Sequence, residues 1–123
     1  MLKAIKRLFR ASSLFLAIAT TIGIAILSLI QAPINAEIFG FDKLLHAFAY
    51  CTLSFFWLSA INKTGRIILV SIICVIYGIV IEILQMVLTN YRSGDLYDAL
   101  ANTSGVLIGY FLYQTLAKKY FLK

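Results

Sequence analysis

The chain has 123 residues, 62% of them hydrophobic and only 13% charged, with a mean hydropathy of +0.94. A soluble domain carries roughly 45–50% apolar and about 25% charged residues, so this composition excludes a water-soluble enzyme, and the single Pro and seven Gly exclude a disordered linker. The net charge of +6 would suggest nucleic acid in a soluble protein, but the placement of the cations assigns it another meaning.

Residues 1–11 form a basic tail with Lys3, Lys6, Arg7 and Arg10, and the uncharged run 12–30 is close to the ~20 residues that cross a bilayer as a helix. Ala32 and Ala36 could end a cleavable leader, but the apolar run is long for one and an isoleucine, Ile30 or Ile34, stands at the −3 position. The first span is expected to be retained. The second span, 44–61, carries His46; the third, 67–88, carries Glu82 and Gln85; the fourth, 99–117, carries Asn102 and Gln114. Helices are the expected form, because lipid leaves every backbone polar group to be satisfied within its own segment. Cys51 and Cys74 lie in separate spans and are read as small buried apolar side chains rather than a disulfide. The fold class expected is all-α: a polytopic four-transmembrane-helix bundle forming one membrane domain over 12–117, with a second basic tail at 118–123.

Lysine and arginine set the orientation. Nine cations fall in the two tails and in the loop holding Lys63 and Arg66; Lys43 and Arg92 alone fall in the other two loops. The positive-inside rule then places both termini in the cytoplasm, and the basic charge reads as a topology signal and an anionic-lipid contact, with no nucleic-acid partner. The expected location is a bacterial cytoplasmic (inner) membrane.

The polar residues gather toward the opposite side. Asp42 and His46 lie one turn apart at the start of the second span, and Glu82 and Gln85 one turn apart in the third. At about 1.5 Å per residue, Glu82 lies about 9 Å below the outer end of its helix. Arg92, Asp95 and Asp98 lead into the fourth span, and Asn102 follows Asp98 on the same face. The pattern predicts a polar pocket open to the extracytoplasmic side. Its members also have plainer roles: Asp42 and Asp95 as helix caps with Asp98 at N3, Arg92 and Lys43 as headgroup anchors, His46 as an interfacial residue. Tyr50, Tyr77, Tyr91 and Tyr97 read as packing or interfacial aromatics, and Gly105 and Gly109 as a close-packing pair. Glu82 resists the plain reading, because an intramembrane carboxylate is costly unless paired or protonated; Asn102 and Gln85 are its expected partners.

The series Asp42-Lys43-x-x-His46-x-x-x-Tyr50, then Tyr77, Gly78, Glu82 and Gln85, then Arg92-x-x-Asp95-x-x-Asp98-x-x-x-Asn102-x-x-Gly105-x-x-x-Gly109 resembles the VanZ-like family of small bacterial membrane proteins. The resemblance covers about residues 42–109. It implies a bacterial membrane protein in a family named for an accessory protein of glycopeptide resistance, associated with teicoplanin. His46, Glu82, Gln85, Arg92, Asp98 and Asn102 match the family motif, without chemical roles attached.

Three functions follow as expectations. The first is a binding module, with His46, Glu82, Gln85, Arg92, Asp95, Asp98 and Asn102 receiving a lipid head group, a lipid-linked envelope precursor or a glycopeptide-type compound, linked to antibiotic resistance. The second is an intramembrane hydrolase or transferase acting on a lipid-linked substrate, with His46, Glu82 and Asp98 as acid–base groups. The third is a small transporter, disfavoured by an uncharged first span and by polar residues that do not continue across the bilayer. Scaffolding for a partner remains beside these. A metal on His46, Glu82 and Asp98 has no local spacing to support it, so no metal and no cofactor are expected. The sequence leaves catalysis, ligand and oligomeric state open.

Overall fold

The computed structural model describes residues 1–30, 41–88 and 96–122, with the side chains of Phe41, Asp42 and Phe121 left aside. The described chain is helical almost throughout: α1 (Leu2–Leu29), α2 (Phe41–Ile61), α3 (Ile67–Leu88) and α4 (Leu96–Leu112), the last running on into a π-helical segment (Tyr113–Phe121). A 3₁₀ turn, Thr64–Arg66, precedes α3.

Three stretches are long and apolar enough to cross a membrane: Leu2–Leu29, Lys43–Ile61 and Thr64–Leu88. The fourth expected span is present as a helix, but its α-helical part has 17 residues. At about 1.5 Å per residue that falls short of a ~30 Å hydrocarbon core, and the helix gains length only through the π segment. There Leu122 N–H bonds the Ala117 carbonyl five residues back, at 2.8 Å. α1 starts at Leu2, so the basic residues 3–10 ride on a helix continuous with the first apolar run. Asp42 lies inside α2 rather than ahead of it, so it is not the N-cap residue of that helix.

Contacts give the helix directions. Arg10 donates to the carbonyls of Ala60 and Ile61 at 3.4 Å, Trp57 Nε1 donates to Thr21 Oγ1 at 2.9 Å, and Gln85 Nε2 donates to the Ser28 carbonyl at 2.8 Å. Hence α1 and α3 run one way and α2 and α4 the other. The most extensive pairing is the parallel one between α2 and α4, which are not neighbours in sequence. Gly105 and Gly109 make it possible. A Cβ on Gly105 would collide with the Ala47 carbonyl of α2, and one on Gly109 with Ser54 Oγ and the Cys51 carbonyl. Ser54 Oγ uses this proximity to donate to the Val106 carbonyl at 3.1 Å. The close-packing role expected for the two glycines is what the structure has, in keeping with helix association through small residues in lipid.

The turn after α2 depends on Asn62, whose φ of 45° is left-handed, a conformation asparagine tolerates better than most residues. Its side-chain oxygen accepts from the Tyr113 hydroxyl at 2.7 Å, tying the turn to the π segment. The apolar surface is turned outward. Ile68, Ile72, Ile76, Ile79 and Ile83 on α3 are exposed, as are Leu107 and Phe111 on α4, while Leu53, Leu58, Val106 and Tyr113 fill the interior. A water-soluble monomer rarely carries apolar exposure on this scale; a bundle whose solvent is lipid does. Cys51 and Cys74 are both free thiols, as expected.

Candidate functional site

Three helices bring polar side chains together at the end away from the 62–66 turn. On α2, Lys43, His46, Ala47 and Ser54 recur at helical spacing and form the stripe facing α4, while Tyr50 lies against Gly78 and Tyr77 of α3. On α4, Asp98, Asn102, Gly105 and Gly109 form the answering stripe. On α3, Cys74, Gly78, Glu82 and Gln85 are buried. Because the glycines draw α4 against α2, the polar residues one and two turns away also meet.

His46 Nδ1 lies 3.0 Å from Asn102 Oδ1 and 3.7 Å from Glu82 Oε1. With its proton on Nδ1 the ring donates to Asn102 Oδ1 and faces the Glu82 carboxylate. Asp98 accepts from Lys43, forming an ion pair across α2 and α4. Asp98 also sits in the first turn of α4, where a carboxylate complements the helix N-terminus. Lys43, which reads from sequence as a headgroup anchor, pairs with a side chain of the bundle while 35% of its own side chain stays exposed. Glu82 and Asp98 are buried, with side chains 10% and 9% exposed. Two carboxylates at that depth are sustained by opposite charge and hydrogen bonding close by.

Gln85, buried one turn from Glu82, donates through Nε2 to the Ser28 carbonyl of α1. Arg92 and Asp95, both expected in the site, lie outside the described residues, as do the side chain of Asp42 and residue Tyr91.

Two further residues of the family-like series, Tyr50 and Gly78, sit in the cluster. Tyr50, which reads from sequence as a packing or interfacial aromatic, is 2% exposed, and its hydroxyl has no hydrogen-bond partner among the described residues. The same is true of Asn102 Nδ2. Both flank Gly78: a Cβ there would approach Tyr50 Cε1 at 3.1 Å and Asn102 Cβ at 3.3 Å. Gly78 therefore keeps the floor of the cluster open for a tyrosine and an asparagine. The usable signal was spacing, since Tyr50 follows His46 by four residues and Gly78 precedes Glu82 by four. Tyr77, in contrast, donates to the Thr21 carbonyl at 2.5 Å and belongs to the α1–α3 contact.

One donor atom each from His46, Glu82 and Asp98 lie within 4.8 Å of one another, close enough to share a cation. The set is a nitrogen with two carboxylates, a mixed group that suits several divalent metals. Lys43 already pairs with Asp98, and Nδ1 of His46 is directed at Asn102, so a cation here would compete with both contacts.

A protein-family model described as VanZ/LLP1 matches residues 2–118. No curated protein and no solved structure matches the chain.

Proposed function

The chain belongs to the VanZ/LLP1 family, and from that premise we propose that it is a membrane-embedded binding protein whose polar cluster receives the head of a lipid-linked cell-envelope compound or a glycopeptide-type compound. The reading rests on one observation: His46, Glu82, Asp98 and Asn102, from three helices, converge at the helix ends opposite those bearing Lys3, Lys6, Arg7, Arg10, Lys63 and Arg66. With the basic end in the cytoplasm, the cluster faces the outer side of a bacterial cytoplasmic membrane. There it offers buried donors, Tyr50 and Asn102 Nδ2, beside carboxylate acceptors. Donors and acceptors in one desolvated place suit a hydroxyl- and amide-rich head group. Arg92 and Asp95, next to α4 in sequence, extend the site in this reading, which also carries the link to antibiotic resistance.

Lipid extraction from protein purified in mild detergent tests it, with wild type beside Glu82→Gln. The expected result is a co-purifying envelope lipid with wild type and none with Glu82→Gln, at equal accumulation. Equal lipid on both would sink the proposal. A second reading, an intramembrane hydrolase or transferase, draws on the His46 imidazole beside the Glu82 carboxylate, a pair suited to acid–base work. Recovery of a substrate–product pair that becomes substrate alone in His46→Gln would favour it.

A further inference from the structure

At the basic end, two cavities share a wall. One, of about 440 Å³, is bordered by Arg10, Lys63 and Arg66. The other, of about 270 Å³, is apolar and runs between α2 and α3 past Leu53 and Cys74 toward the outer half of the bundle. Ile61, Val70 and Ile73 line both, so the two form one trough with a cationic mouth and a hydrocarbon wall. Its far end is closed by a hydrogen-bonded seal, in which Trp57 and Tyr77 both donate to Thr21.

We propose that this trough is a binding site for one anionic glycerophospholipid, with the phosphodiester at Arg10, Lys63 and Arg66 and an acyl chain laid along Ile61, Val70 and Ile73. Charge complementarity selects the occupant. The mouth carries three cations, while the buried acids Glu82 and Asp98 of the described residues sit at the other end of the bundle. Arg10 is set in place by its bonds to the last carbonyls of α2, and its guanidinium retains further N–H donors for a phosphate. α3 begins at this mouth and α2 ends there, so their dipole ends offset and the attraction for an anion comes from the three side chains. The apolar wall excludes a free phosphate as the natural occupant, because it gives hydrocarbon a dry surface and an inorganic ion nothing. The site shares no residue with the polar cluster and does not rest on its proposed ligand.

The test is native mass spectrometry of the full chain in mild detergent, titrated with phosphatidylglycerol or phosphatidylcholine of the same acyl chains. One phosphatidylglycerol should be retained at least about tenfold more tightly than phosphatidylcholine, a difference of about 1.4 kcal/mol. The exposed double variant Lys63→Gln/Arg66→Gln should erase that preference. Ile73→Trp, which fills the trough and leaves every cation in place, should lower retention of both lipids. Inorganic phosphate at millimolar excess should not displace the bound lipid. Equal retention of the two lipids by wild type overturns the proposal, as does displacement by phosphate or a preference that survives Lys63→Gln/Arg66→Gln. So does a preference governed by Lys3 and Lys6, which border an adjoining cleft on the other side of Arg10. Far-ultraviolet circular dichroism of each variant distinguishes loss of lipid from loss of fold.

Discussion

The two ends of this bundle handle charge in opposite ways. At one end, Lys3, Lys6, Arg7, Lys63 and Arg66 lie at the rim, open to water and headgroups. At the other, Glu82 and Asp98 lie between helices with His46, Lys43 and Asn102 around them. A rim charge keeps its hydration and is replaceable by any other cation. A buried charge has given its hydration up, and its replacement has to be matched by the groups facing it. Away from the trough at Arg10, Lys63 and Arg66, the basic end therefore acts through how many cations it holds, and the cluster end through where each atom stands.

That contrast can be broken most forcefully at the Lys43–Asp98 pair. Lys43→Ala strands a carboxylate that is 9% exposed, and should lower stability by about 3 kcal/mol, at the lower edge of the loss for a broken buried pair because Lys43 itself is 35% exposed. Asp98→Asn should do less, since the stranded ammonium can reach water on its flexible stem. Thermal unfolding in detergent should rank Lys43→Ala below Asp98→Asn; the reverse order would mean that the pair is not what holds Asp98 in the cluster.

The next effect concerns the packing that builds the cluster. Gly105→Val puts a branched side chain against the Ala47 carbonyl and the Cys51 backbone, and overpacking of this kind costs about 1–3 kcal/mol. Because α4 then moves off α2, the variant should also lose co-purifying envelope lipid, although it touches no ligand-binding atom. Normal unfolding with normal lipid content would separate the glycine contact from the site.

Smaller again is Trp57→Phe. It removes the bond to Thr21 and keeps most of the ring packing, at about 0.5–1.5 kcal/mol. The smallest change in stability should come from Lys3→Gln/Lys6→Gln, within about 0.5 kcal/mol as for ordinary surface substitutions. Orientation is the proper readout at that end. A fluorescent protein fused after Lys123 should fluoresce and an alkaline phosphatase fused there should be inactive; the opposite pair of results would place the polar cluster on the cytoplasmic side.

Much of this was legible before any coordinates. The hydropathy runs located four helices, because a bilayer demands long uninterrupted apolar segments and the chain has little else. The spacing of Asp98 and Asn102, and of Gly105 and Gly109, put each pair on one face, because helical periodicity is a local property. The shortfall of α4 was less plain: the apolar run 99–117 looks like a full span, but its α-helical hydrogen bonding stops at Leu112. Gln85 shows a further limit. From sequence it belongs with Glu82 one turn away, yet it bonds Ser28 on α1, since residues three apart on a helix are about 60° apart around its axis and can serve different neighbours.

What the sequence by itself determined is the apolar character of this protein, its helices and the separation of its charges into two ends, because composition, period and charge placement act along the chain. Only the tertiary structure decided that α2 lies parallel to α4, that Lys43 pairs with Asp98, that His46 stands between Glu82 and Asn102, and that Tyr50 joins them. Those outcomes depend on which helix faces present their smallest side chains to each other. Gly105 and Gly109 let two backbones approach until side chains some 55 residues apart in sequence come within hydrogen-bond distance, and no property of either segment alone fixes that meeting.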